Sequence, residues 1–135
     1  VKAFDTNVVV RIVVEDDEAQ GRLAEAAWRD ALAKGGIFLP KVVVVETAWV
    51  LRSSYRFDSA AVASTLRRLL NVEGVNAEDE SEVREALARF EQGNADLSDY
   101  LILESAREAD ALPVRTFDRR FSREDGVEIV DGKSG

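Results

Sequence analysis

Cysteine, histidine and methionine are all absent from the 135 residues of this chain, and only two prolines occur. Without cysteine there is no disulfide, no zinc–thiolate centre, no redox pair and no thiol nucleophile. Without histidine there is no imidazole base and no Ser-His-Asp triad. Metal binding is left to oxygen ligands, which suit hard divalent cations such as Mg²⁺ or Mn²⁺. Long apolar runs are missing too: none approaches the ~18 residues that a membrane-spanning helix needs. The first apolar run carries Asp5 and Arg11 and ends in Glu15-Asp16-Asp17-Glu18, which is not the shape of a signal peptide. These absences lead to the expectation of a cytoplasmic protein with no membrane partner. The length suits a single domain over residues 1–135, able to bury roughly two thirds of its unfolded surface without cross-links.

Positive charge is also short, and the net charge is −8. A protein that lives by non-specific phosphate contacts is ordinarily basic. Either nucleic acid is not the ligand, or the acid is gathered at a metal site and on remote faces while local arginines meet phosphate. Arg52 with Arg56, Arg67 with Arg68, and the set Arg115, Arg119, Arg120 and Arg123 are the candidates for such contacts. By default each is a solvated face.

Strand and helix signals alternate along the chain. Residues 2–5 read as a short buried strand. Val8 to Val14 is rich in β-branched residues, yet Asp5-Thr6 makes a good helix start, and a helix is expected there. A second helix is expected over 17–34, with Leu23, Ala26, Ala27 and the pair Ala31-Leu32 inward. Residues 36–39 form a strand closed by Pro40. A helix then runs to about Tyr55, with Val45, Trp49 and Arg52 along one face. Asp58-Ser59 caps a further helix whose apolar stripe is Val62, Leu66, Leu69 and Leu70. Gly74 to Asn76 is a turn or edge strand, and residues 79–91 form a helix with Val83, Leu87 and Phe90 inward. Gly93-Asn94 breaks it, and the next helix starts near Leu97 and ends before Pro113. Strands at 114–117 and 127–130 follow, then a polar tail. Strands alternating with helices argue an α/β domain with a mainly parallel sheet.

Five acids stand out against that frame: Asp5, Glu46, Asp96, Asp99 and Asp118. Most lie in otherwise apolar surroundings, where an unpartnered carboxylate is expensive. Asp5 ends the first strand and Asp118 follows the fourth. Ligands of open parallel sheets bind beyond the carboxyl ends of the strands, so these two acids can meet. Capping accounts equally well for an Asp between a strand and a helix. Asp96 and Asp99 are three apart at a helix start, where the helix dipole favours negative charge. Capping is the stronger explanation for Asp96 and the weaker for Asp99, which runs directly into an apolar stretch. Glu46, set between Val45 and Thr47-Ala48-Trp49, is hardest to explain as structure. Two carboxylates ~4 Å apart repel by about 4 kcal/mol at an effective dielectric of 20, so a cluster calls for a divalent cation. Phosphoryl transfer is the chemistry that uses an all-carboxylate metal site. Asn7 and Thr116 are placed to orient a ligating carboxylate or a water.

In order, the segments AFDTNVVVR, VVVVETAWVLRSSY, GNADLSDYLILESAREA and VRTFDRRF cover nearly the whole chain. Together they resemble a PIN-domain ribonuclease and, within that superfamily, a VapC toxin of a bacterial toxin–antitoxin pair. The resemblance implies a three-layer α/β sandwich with a mainly parallel central sheet of four to five strands between helices. It implies a Mg²⁺- or Mn²⁺-dependent endoribonuclease acting on single-stranded RNA. Asp5, Glu46 and Asp99 would be the core acids, Asp118 would complete the quartet, and Asp96 is the more variable partner. A homodimer is implied, for which Val42, Trp49, Leu66 and Leu70 offer an apolar stripe. So is a VapB-like antitoxin, whose tail helix would cross residues 17–70 and bring an Arg or Lys to Asp5, Glu46 and Asp99. Two other readings compete. A phosphotransfer receiver domain also sets acids at strand ends, but it needs adjacent acids after the first strand, and Asp5 stands alone. A non-catalytic binding module on the same fold would tolerate the loss of Asp5 or Asp99.

Overall fold

The structure, a computed structural model, describes residues 1–15 and 17–132; Asp16 and the last three residues of the polar tail lie outside it. In chain order the elements are β1 (Lys2–Ala3), α1 (Thr6–Val13), α2 (Glu18–Ala33), β2 (Ile37–Leu39), α3 (Lys41–Ser53) and α4 (Ser59–Leu70). They continue as β3 (Val75–Ala77), α5 (Glu80–Gln92), α6 (Leu97–Glu108), β4 (Val114–Thr116), a 3₁₀ turn (Phe121–Arg123) and β5 (Val127–Ile129). All strand pairs are parallel. The expected mainly parallel sheet is present as a three-stranded group ordered β1-β2-β3 and a two-stranded group β4-β5.

Local chemistry explains why these segments fold as they do. Asp5, Asp17 and Asp58 each cap a helix, accepting from the backbone N–H three residues on: Val8 at 3.3 Å, Gln20 at 2.9 Å and Ala61 at 2.8 Å. In α1 that cap, with the burial of Val9 and Val10, overrides the strand preference of its β-branched residues. At the start of α3, Lys41 donates its backbone N–H to Glu78 at 2.9 Å and pairs its ammonium with Asp79 at 2.8 Å and Glu82 at 3.3 Å. Those bonds pin α3 to the turn between β3 and α5. Gly36 lies where two backbones cross. Its φ is +108°, and a Cβ there would sit 2.8 Å from the Gly74 carbonyl oxygen.

The core runs between the β1-β2-β3 group and the helices, with Ile37, Leu39, Leu51, Val62, Val83, Leu87, Phe90, Tyr100 and Leu103 essentially sealed. The stripe expected on α4 is the buried one: Val62, Leu66, Leu69 and Leu70. On α2 the buried face is Ala24, Trp28 and Ala31, with Leu32 packed against the core; of the expected set Ala31 and Leu32 face inward, and Leu23, Ala26 and Ala27 are exposed. Trp28 decides that facing, because its large ring stacks at a tilt on Phe4, centroids 5.3 Å apart. The Phe4 contact also fixes the chain between the end of β1 and Asp5.

Candidate active site

Asp5 caps α1 immediately beyond β1, Glu46 lies on the outward side of α3, and Asp96 caps α6. These three acids, with Asn7, line one cavity of about 770 Å³. The hydroxyl of Thr6 donates to Glu46 Oε1 at 2.7 Å, tying the first turn of α1 to the middle of α3. Arg52, a turn and a half further along α3, points its guanidinium at Asp96 (3.4 Å) and lies over the Phe90 ring, 5.5 Å from its centroid. Val45, Trp49 and Leu97 supply the apolar part of the lining.

Asp99 and Asp118 form an adjoining group. Asp99 sits in the first turn of α6, half-buried, and accepts from the Asp96 backbone N–H at 3.1 Å. Burial pushes its carboxyl above the ordinary aspartate range. The hydrogen bond from Asp96 opposes that rise, and the negative charges of Asp96 and Asp118 add to it. Asp118 follows β4 and accepts from the backbone N–H groups of Arg120 (2.9 Å) and Phe121 (3.2 Å). Thr116 Oγ1 accepts from the Asp118 N–H at 3.0 Å, so it acts on Asp118 through the backbone.

The loop that presents Asp96 is clamped from two sides. The buried phenol of Tyr100 donates to Glu124 at 2.7 Å and accepts from the Ala95 N–H at 3.4 Å. Burial, then the bond to Glu124, push that phenol up to about 12. The Arg120 guanidinium donates to the Asn94 carbonyl at 2.6 Å. The segment carrying Asp118 therefore holds the segment carrying Asp96 and Asp99.

Exposure corrects one sequence argument. Asp5, Glu46, Asp96 and Asp118 are all exposed, and of the five acids only Asp99 is partly buried. Glu46 itself is exposed although Thr47 and Ala48 beside it are buried, and Val45, Ala48 and Trp49 line the same cavity. The apolar stripe expected for self-association is also broken up, since Leu66 and Leu70 belong to the core while Val42 and Trp49 are exposed. Several arginines have structural partners: Arg67 pairs with Glu91 and Arg115 with Glu128, and Arg120 is the loop clamp.

Two contributors escaped the sequence reading. Thr6 was visible only as part of a helix start, and no local signal says that its hydroxyl reaches across to Glu46. Tyr100 opens the apolar stretch after Asp99, and no local signal shows that its phenol bonds Glu124, twenty-four positions away.

The donor set is chemically right for a hard divalent cation, being all carboxylate. In the side-chain positions seen, no three acids among the described residues are gathered closely enough to share one ion. Asp5, Asp99 and Asp118 are each held by backbone N–H groups through one oxygen, Oδ1 of Asp5 and Asp118 and Oδ2 of Asp99, and a carboxylate has a second oxygen with which to meet a cation.

The sequence profile of the PIN domain matches residues 2–127. A VapC ribonuclease of Aquifex aeolicus (strain VF5) is 24% identical over 123 residues, covering 90% of each chain.

Proposed function

The chain belongs to the PIN-domain family, and from that premise we propose that it is a divalent-metal-dependent endoribonuclease, the toxin of a VapC-type pair. The observation that carries the reading is the convergence of Asp5, Glu46 and Asp96 on one cavity, with Asp99 and Asp118 crowded beside it. Capping accounts for the bonds of Asp5, Asp99 and Asp118 but does not require mutually repelling acids to face one cavity. The similarity to a VapC ribonuclease points the same way.

In this reading Asp5, Glu46, Asp99 and Asp118 would hold the cation, with Asp96 as an accessory ligand. When bound there, Mg²⁺ or Mn²⁺ would supply Lewis-acid activation of water and neutralise charge on the phosphodiester. The chain's own residues set the geometry. Thr6 aims Glu46, Thr116 and the Arg120 and Phe121 N–H groups hold Asp118, and the Tyr100 and Arg120 clamps fix the loop before Asp96. Asn7, in the first turn of α1, lines the cavity and is placed to orient a water or phosphate oxygen. The same reading carries a cytoplasmic address, a single domain over the chain, a VapB-like antitoxin partner and a homodimer. Among the described residues no helix is long and apolar enough to cross a membrane.

The test is cleavage of a mixed RNA pool by the purified chain. Cleavage with Mg²⁺ or Mn²⁺ that stops on chelation and returns on re-addition supports the proposal. Binding of RNA without cleavage under either metal leaves a non-catalytic PIN module.

A further inference from the structure

Trp49 is 66% exposed although it is one of only two tryptophans in the chain; the other, Trp28, is buried at 7%. A large aromatic left in water calls for a ligand when it borders a functional cavity. Trp49 borders the cavity that holds Asp5, Glu46 and Asp96. Glu46, Trp49 and Arg52 follow at intervals of three along α3, so acid, indole and guanidinium lie in sequence along one side of the helix. Arg52 is the one cation among the described residues that line the cavity, and its contact with Asp96 is long, 3.4 Å, with both side chains partly exposed. Such a pair contributes little and exchanges readily for a phosphate.

We propose that Trp49 and Arg52 form a nucleotide subsite beside the acidic cluster: the indole stacks on an unpaired base, and the guanidinium binds a backbone phosphate next to the scissile one. The proposal rests on the ribonuclease reading and says which part of the substrate this wall of the cavity takes. Single-stranded nucleic acid is commonly bound in this way, by an aromatic platform for the base and a cation for the backbone. The geometry also predicts selectivity. A stacked base in a duplex has no free face to offer Trp49, so paired RNA is disfavoured. Arg52 further meets the charge problem of this chain, whose net charge is −8. It places a cation where the strand enters, and the Phe90 ring beneath steadies it.

The test uses a short single-stranded RNA oligonucleotide and the same sequence as a duplex, with Ca²⁺ replacing Mg²⁺ during binding. In a Trp28→Phe chain, Trp49 is the sole fluorescent indole. The single strand should quench its emission and shield it from acrylamide, and the duplex should do neither. In the chain with Trp28 intact, polarisation of labelled RNA should show about ten-fold weaker binding for Trp49→Ala and for Arg52→Gln, with Trp49→Phe restoring most of the affinity. Cleavage of the same oligonucleotide in Mg²⁺ is followed in parallel. Binding through Trp49 without cleavage would overturn the ribonuclease reading and keep the subsite. Cleavage with Trp49 emission unmoved and Trp49→Ala binding as before would overturn the subsite and keep the ribonuclease. Shielding of Trp49 before RNA is added, growing with protein concentration, would assign this face to a second copy of the chain and also overturn the proposal.

Discussion

The Tyr100 phenol occupies the space that a side chain at Gly93 would need: a Cβ there would lie 1.6 Å from its oxygen. Gly93 is thus a residue of close approach, and its φ of −96° shows that backbone conformation is not the reason for glycine. The contact lets the phenol reach both the Ala95 N–H and the Glu124 carboxylate. Gly93→Ala should destabilise the chain by about 3 kcal/mol through overpacking. Tyr100→Phe, which keeps the ring and strands the two partners, should cost about 1–3 kcal/mol. Urea denaturation measures both, and a Gly93→Ala chain as stable as the parent would refute the packing argument.

Thr47 is sealed inside the fold, and its hydroxyl oxygen has no hydrogen-bond partner among the described residues. A buried hydroxyl without a partner is a penalty that an apolar isostere removes. Thr47→Val should therefore stabilise the chain by about 1 kcal/mol, read as a higher urea midpoint at unchanged slope. A loss of stability of that size would mean that the hydroxyl has a partner.

Much of this architecture is legible in the sequence, for identifiable reasons. The caps at Asp5, Asp17 and Asp58 are short-range chemistry, and so is the apolar stripe of α4. The facing of α2 was misjudged because alanine marks no side, and the contact of Trp28 with Phe4 that sets it is tertiary. The acids at 5, 46, 96, 99 and 118 stand out in the sequence by strand ends, a helix start and apolar neighbours. Their exposure could not be read. The bond of Thr6 to Glu46 spans forty positions, and the clamp of Arg120 on Asn94 spans twenty-six, so neither leaves a local pattern.

The hydroxyl of Thr6 holds Glu46 in place from another helix. Thr6→Val keeps the shape of the side chain and removes the donor. Partners that orient a metal ligand typically contribute about 10–100-fold to metal affinity or activity. Isothermal titration with Mn²⁺ should show a loss in that range, with thermal stability in EDTA little changed. Unchanged Mn²⁺ affinity would place Glu46 outside the metal site.

An open acidic cavity invites a cationic inhibitor, because an arginine can pair with two carboxylates at once. A partner antitoxin is expected to carry an Arg or Lys to Asp5, Glu46 and Asp99, with a helix laid across residues 17–70. Co-expression with a small protein encoded beside this chain, followed by co-purification, tests the association. An associated complex that cleaves RNA as fast as the free chain would contradict inhibition, and substituting the partner's arginine should release the activity.

The central claim is that the carboxylates perform metal-dependent cleavage rather than merely cap helices. The direct measurement is the rate of single-stranded RNA cleavage against Mg²⁺ concentration for the parent chain, Asp5→Asn and Asp99→Asn, each shown folded by circular dichroism. Asparagine retains an oxygen that accepts from the Val8 and Asp96 N–H groups, so the caps survive while the charge is lost. The account predicts cleavage by the parent that rises with Mg²⁺ and vanishes in EDTA, with a loss of at least about 100-fold in either variant, the scale of removing a group that acts on the reacting centre. Parental rates in the folded Asp5→Asn and Asp99→Asn chains would contradict it, and would leave both residues as helix caps.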